Sequence, residues 1–135
     1  YALASGIAHG LSYGDNFQSV LISNSTREMN RFIKKVSNRK RNINHSAYLG
    51  DLLVTAYSLF SRNRRFGNMI GRGYTVKGAQ LEMNMVAEGY YACESAYKMS
   101  KSLGVNTPII DAIYGVLYLK KSPRRMFQKL SKKLS

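Results

Sequence analysis

An all-α domain is the fold the sequence predicts, and three observations carry that prediction. Apolar residues recur at intervals of three and four along most of the chain, the rhythm of a helix with one buried face. No segment alternates apolar and polar residues for long enough to build a sheet. Thr107-Pro108 and Ser122-Pro123 each set a capping hydroxyl before a proline, the residue that suits the first position of a helix. The 135 residues are 44 % hydrophobic and 21 % charged, enough apolar material for a core and too short a chain for two full-sized domains. Residues 1–135 are therefore expected to form one helical domain of about seven helices.

The elements follow in order. Ala2, Gly6, Gly10 and Gly14 stand at four-residue spacing, so a first helix carries a small-residue face that another backbone can approach closely, with Gly14 as its stop. Asp15 or Asn16 then caps a long helix whose Phe17, Val20, Leu21, Met29, Phe32, Ile33 and Val36 keep the helical rhythm. Residues 37–44, with Arg39-Lys40-Arg41, read as a solvated loop, and the apolar run over 46–57 as a short buried helix. Ser61 caps a helix with Phe66, Met69 and Ile70 on one face, ending near Gly71 and Gly73. A further helix spans about 87–103, with Ala92, Ala96, Met99 and Leu103 inward and Gly104 as its stop. The two proline-initiated helices turn Ile109, Ile110, Ile113, Val116 and Leu117, then Met126, Phe127, Leu130 and Leu134, toward the core.

Composition bounds the function. Twenty-one Lys and Arg against 7 Asp and Glu leave a net charge of +14, which first suggests a polyanion partner. The basic residues are scattered over Arg39-Lys40-Arg41, Arg62-Arg64-Arg65 and the segment from Lys120 to Lys133. On the last helix they lie opposite the apolar residues, as on an ordinary solvated face, so a small basic nucleic-acid-binding module is kept as the alternative reading, and attraction to a membrane surface as a third. No apolar run reaches the ~20 residues of a membrane span. Cys93 is alone, so no internal disulfide forms, and its small size suits burial in a helix. His9 and His45 have no second ligand at metal-binding spacing, and no metal site is expected. Gly71-Arg72-Gly73 lacks both the third glycine and the preceding strand of a dinucleotide fingerprint.

Three places can carry chemistry. In Ser61-Arg62-Asn63-Arg64-Arg65-Phe66-Gly67 a capping Ser, an Arg and an Asn share the first turn of a helix, where free amides, the positive dipole end and a guanidinium fork suit a phosphate or carboxylate; a plain cap with exposed arginines is the other reading. Asp51, set in an apolar run, is either a helix cap or the holder of a catalytic cation. Glu88, in the first turn of its helix, is either a dipole-stabilised acid or an acceptor for a sugar hydroxyl.

Taken together, Gly50-Asp51-Leu52, the Ser61-Arg62-Asn63-Arg64 run, Val86-Ala87-Glu88-Gly89 and Leu103-Gly104-Val105-Asn106-Thr107-Pro108-Ile109 resemble the bacterial NAD(P)-dependent glycerol-3-phosphate dehydrogenases. The likeness runs from Ala4-Ser5-Gly6 through Glu28-Met29 to Leu117-Tyr118 and covers only the C-terminal half of such an enzyme. It implies the helical substrate-binding domain of the 6-phosphogluconate dehydrogenase-like superfamily, the partner of an N-terminal Rossmann domain. It also implies interconversion of glycerol 3-phosphate and dihydroxyacetone phosphate with NAD or NADP, for glycerophospholipid synthesis in the cytoplasm. Carried over residue by residue, Asp51 belongs to the catalytic polar cluster. Ser61, Arg62 and Asn63, with Asp51, meet the glycerol phosphate, and Arg62, Val86 and Glu88 line the cofactor. The family's proton donor, the lysine of a Lys-Asn pair, falls just before the segment matching Tyr1.

Two departures stand out: Ala47-Tyr48 replaces a glycine-rich stretch before Gly50-Asp51, and residues 37–44 are unusually basic. A chain opening at Tyr1 in mid-helix is expected to be a cut piece, inactive by itself. Loss of the N-terminal partner is expected to bare the Ala2-Gly6-Gly10-Gly14 face and favour self-association, and a homodimer is a further expectation.

Overall fold

The computed structural model describes residues 1–37, 61–83 and 87–135. Among them stand seven helices and no strand: α1 (Ala2–Gly10), α2 (Asp15–Ser37), α3 (Arg62–Gly71), α4 (Val76–Met83), α5 (Glu88–Leu103), α6 (Pro108–Tyr118) and α7 (Pro123–Lys133). The helix expected over 46–57, with Asp51, and the loop expected over 37–44 apart from Ser37 lie outside the described residues. The described residues also hold α4, which the apolar rhythm did not announce. Thr75 starts it by accepting the Gly78 amide at 2.9 Å, and the mid-helix glycine and eight-residue length mask its pattern.

The core is built around α1, every residue of which from Ala2 to Ala8 is buried. Its Gly6 and Gly10 meet Gly67 and Gly71 of α3 in a reciprocal crossing. A methyl on Gly6 would overlap the Arg64 carbonyl oxygen and come within 2.9 Å of the Asn68 amide nitrogen; one on Gly67 would overlap the Leu3 carbonyl oxygen. The expected close approach is thus made inside the chain, by α3, so this face is already covered and is no surface for self-association. Gly14 stands apart, with open space about it. α1 stops at Gly10, not Gly14, because Ser12 takes a left-handed φ of 70° that turns the chain into α2. The first i→i−4 bond of α2 is received by the Gly14 carbonyl from the Gln18 amide.

The interior of α2 holds an acid. Glu28 is fully buried, and its two oxygens accept the Ile109 and Ile110 amides at 2.8 and 3.0 Å, while the Tyr1 hydroxyl donates at 3.0 Å. These amides belong to the first turn of α6, where helix donors lack partners within the helix. The Thr107 hydroxyl, expected to cap them, instead lies 3.1 Å from Ser100 Oγ and 3.2 Å from Asp111 Oδ1. Glu28, 81 residues away in sequence, caps α6 in its place. Burial raises the Glu28 carboxyl above the usual range, and the Ile109, Ile110 and Tyr1 bonds offset part of that rise. Ser122 does cap α7 as expected, accepting the Arg125 amide at 3.4 Å.

The orientation of α5 departs from expectation. Ala92, Met99 and Leu103 are exposed and Ala96 is half-buried, whereas Cys93 and Ser100 face the core. Aromatic stacking sets this rotation. Tyr97 lies flat on Tyr114 at 3.8 Å between ring centroids, Tyr114 stacks on Tyr118 at 5.0 Å, and Tyr118 on Tyr90 at 4.7 Å. This ladder joins α5 to α6, and offset ring pairs stabilise beyond their buried area by ~0.5–1.5 kcal/mol each. The Tyr118 hydroxyl closes the ladder by donating to the Tyr90 carbonyl. Gly104, in the left-handed region at φ 68°, ends α5 as expected.

Cys93 is buried as expected, and burial pushes its thiol up to about 11. At pH 8 the native chain should react with iodoacetamide about two orders of magnitude more slowly than an ordinary thiol of pKa ~8.5. Mass spectrometry of timed samples, native and in urea, measures this; equal rates would show that Cys93 is accessible.

Candidate functional site at the starts of two helices

The site is built where the N-terminus of α3 meets the N-terminus of α5. Ser61 has extended backbone and accepts the Arg64 amide through Oγ at 3.4 Å, so its hydroxyl hydrogen is free to point outward. Asn63, in the first turn of α3, accepts the Gly89 amide through Oδ1 at 2.9 Å. That bond joins two helix starts and fixes the Asn63 amide orientation, leaving Nδ2 as a donor. The approach is close: a Cβ on Gly89 would lie 2.8 Å from Asn63 Oδ1 and 3.0 Å from Leu3 Cδ1. Glu88, next to Gly89, is exposed in the first turn of α5, and Arg62, next to Asn63, is exposed in the first turn of α3.

Charge and shape agree at this point. Two helix starts bring the positive ends of two dipoles together, Arg62 adds a planar guanidinium, and Ser61 and Asn63 add neutral donors. Beside them opens an apolar cavity of about 220 Å³, lined by Tyr1, Leu3, Asn63, Gly89, Cys93 and Ile110. The arrangement can hold a small phosphate by its charged end and present the uncharged remainder to a pocket with few competing polar groups.

The structure therefore brings Ser61, Arg62, Asn63 and Glu88 into one neighbourhood. Asp51 and Val86 lie outside the described residues. Two features carry no signal in the sequence. Gly89 positions Asn63 through its amide, and although it stands in Val86-Ala87-Glu88-Gly89, nothing in a glycine's identity signals which partner its N–H will meet. Arg64, grouped in the sequence with Arg62 and Arg65 as a basic patch, is buried at 6 % exposure and does not contribute to a surface for polyanions. His9 is exposed, its Nδ1 3.3 Å from Asn68 Oδ1, and no group of three metal-ligating side chains occurs among the described residues.

Comparison with known proteins decides the family. The model of the family described as NAD-dependent glycerol-3-phosphate dehydrogenase C-terminus matches residues 1–128. The chain belongs to this family. Among similar curated proteins, the glycerol-3-phosphate dehydrogenase [NAD(P)+] of an Exiguobacterium species is 41 % identical over 132 residues, covering 98 % of this chain and 39 % of that protein. The Chlamydia caviae protein of the same name is 41 % identical over 117 residues, covering 87 % of this chain and 35 % of its own length. The crystal structure of glycerol-3-phosphate dehydrogenase from Coxiella burnetii superposes with a TM-score of 0.90 at 30 % identity, over 96 % of this chain and 40 % of that one. The chain thus spans about two-fifths of the length of these glycerol-3-phosphate dehydrogenases and matches the part described as their C-terminus. The all-α class expected from the apolar rhythm is also that of this domain, for which the described residues show seven helices and no strand.

Proposed function

We propose that this chain is the substrate-binding domain of an NAD(P)-dependent glycerol-3-phosphate dehydrogenase, and that the joined starts of α3 and α5 bind the phosphate of glycerol 3-phosphate or dihydroxyacetone phosphate. The observation that supports the reading is the Asn63–Gly89 bond, which joins the two helix starts at the edge of the cavity, with Ser61 and Arg62 preceding Asn63 and Glu88 preceding Gly89 in the chain. The polar groups suit a phosphate substrate and a nicotinamide cofactor alike: a guanidinium and a hydroxyl donate to phosphate, and an exposed carboxylate accepts from a sugar hydroxyl or amide of the cofactor. That cofactor, when bound, supplies the hydride.

This chain's own residues then bind and orient. Arg62 and Ser61 neutralise and anchor the phosphate, Asn63 Nδ2 donates to a substrate oxygen, and Arg62 with Glu88 faces the cofactor. Val86 and Asp51 belong to the same reading by resemblance, Val86 beside the cofactor and Asp51 as partner of the lysine that would carry the proton. The reading places a Rossmann domain as intramolecular partner, the cytoplasm as location and glycerophospholipid precursor supply as role. A homodimer is part of it as well, with exposed Tyr91, Met99 and Leu103 of α5 as apolar surface available to it.

The test is an assay of the enzyme that carries this chain behind its Rossmann domain. Dihydroxyacetone phosphate should drive oxidation of NADH or NADPH, and the 135-residue chain alone should not turn over. Arg62→Ala should lower kcat/KM roughly 10- to 150-fold, the range of one charge-assisted hydrogen bond. A well-folded enzyme without dihydroxyacetone-phosphate-dependent oxidation would refute the reading.

A further inference from the structure

At the Ile70 end of α3, opposite Ser61, lies a second depression of about 740 Å³, lined among others by Tyr74, Lys77, Tyr118, Lys120, Lys121 and Pro123. It sits at the start of a strongly one-signed surface. All seven Lys and Arg residues between 120 and 133 are exposed, and no Asp or Glu occurs from residue 112 onward. The two ion pairs among the described residues use Lys98 and Lys101, so none of these seven cations is neutralised there by a carboxylate. Two apolar side chains stand out among the cations: Leu119, 51 % exposed in the turn before Lys120-Lys121, and Tyr74, 46 % exposed on the rim.

The combination selects the partner. A row of cations alone suits any polyanion, but a bare leucine among lysines gains nothing against a phosphodiester backbone. Against a bilayer it enters the boundary between headgroups and acyl chains, where a tyrosine is also at home. Insertion of the whole helix is excluded by packing, since Phe127 and Leu130 of α7 are spent on the core at 0 % and 2 % exposure. We propose that this end of the molecule is an adsorption surface for an anionic bilayer, with Lys120, Lys121, Arg124 and Arg125 engaging lipid phosphates while Leu119 and Tyr74 enter the headgroup layer. The surface is independent of the dehydrogenase reading, because none of its residues belongs to the Ser61–Glu88 site.

Co-sedimentation of the chain with lipid vesicles tests it. Binding is expected to phosphatidylglycerol vesicles, to be absent with phosphatidylcholine alone, and to fall steeply with salt. A variant carrying Lys120→Asn, Lys121→Gln, Arg124→Gln and Arg125→Gln should bind at least ~10-fold more weakly, since each basic residue near an anionic surface contributes severalfold. Asn is chosen at 120 because that residue holds a left-handed φ of 54°. Leu119→Ser should cost a further few-fold without changing the salt dependence. An unchanged circular dichroism spectrum establishes that both variants fold, since all five positions are exposed. Equal binding to phosphatidylcholine, full affinity in the four-fold variant, or release by millimolar inorganic phosphate would overturn the proposal. So would a DNA duplex held as tightly as the vesicles and unaffected by Leu119→Ser.

Discussion

Gly67→Ala should destabilise the chain by about 3 kcal/mol or more, and Gly6→Ala by a similar amount, whereas Gly14→Ala should stay within about 1 kcal/mol. The contrast is informative because Gly6 and Gly14 belong to one four-residue series in the sequence. A new methyl at 6 or 67 meets backbone on the opposing helix, the Arg64 or Leu3 carbonyl, which cannot swing aside as a side-chain end would. α1 and α3 would have to separate, and both the buried Phe66 and the Asn63 anchor ride on α3. At Gly14 a methyl meets open space. Urea denaturation followed by circular dichroism measures all three. Equal effects at 6 and 14 would show that the crossing is looser than described.

Glu28→Ala should be of comparable size, ~3–5 kcal/mol, because it leaves the Ile109 and Ile110 amides buried without acceptors and strips the Tyr1 hydroxyl of its partner. Against a total stability of ~5–15 kcal/mol for a domain, that is a large share. Glu28→Gln, which keeps an acceptor and the shape, should cost less and should change the pH dependence. Burial holds the native Glu28 pKa above its unfolded value of ~4.3. As pH rises past that value, the unfolded chain releases its proton while the native one still binds it. This group's contribution to stability therefore falls with rising pH, from about 4.3 up to the raised native value, and is constant above it. The difference in stability between the parent chain and its Glu28→Gln variant, measured from pH 4 to 8, should show this fall; a difference that grows with pH would reverse the assignment.

Much of this was legible in the residues. Caps made by local side chains could be read directly: Ser61 and Ser122 bond three residues ahead, and Gly104 takes the left-handed turn its type favours. The anion-suited start of α3 was legible for the same reason, since Ser61, Arg62 and Asn63 are contiguous. What escaped depends on distant partners. Thr107-Pro108 has the signature of a capped start, yet the cap comes from Glu28, 81 residues away. The buried face of α5 differs from its apolar spacing: Ala92, Ala96, Met99 and Leu103 keep a helical interval, while Tyr90 and Tyr97 find stacking partners on α6 that no spacing rule within α5 reveals. Gly89 gained its role from a single N–H, invisible in its residue type.

The central claim is that a phosphate binds at the joined helix starts. Titrating dihydroxyacetone phosphate into the isotope-labelled chain and following backbone amides by NMR tests it directly. Saturable shifts centred on Arg62, Asn63 and Gly89 are expected, lost in Arg62→Ala while the remaining spectrum is preserved. Shifts confined to residues 120–133, with residues 61–63 and 88–89 unmoved, would contradict it.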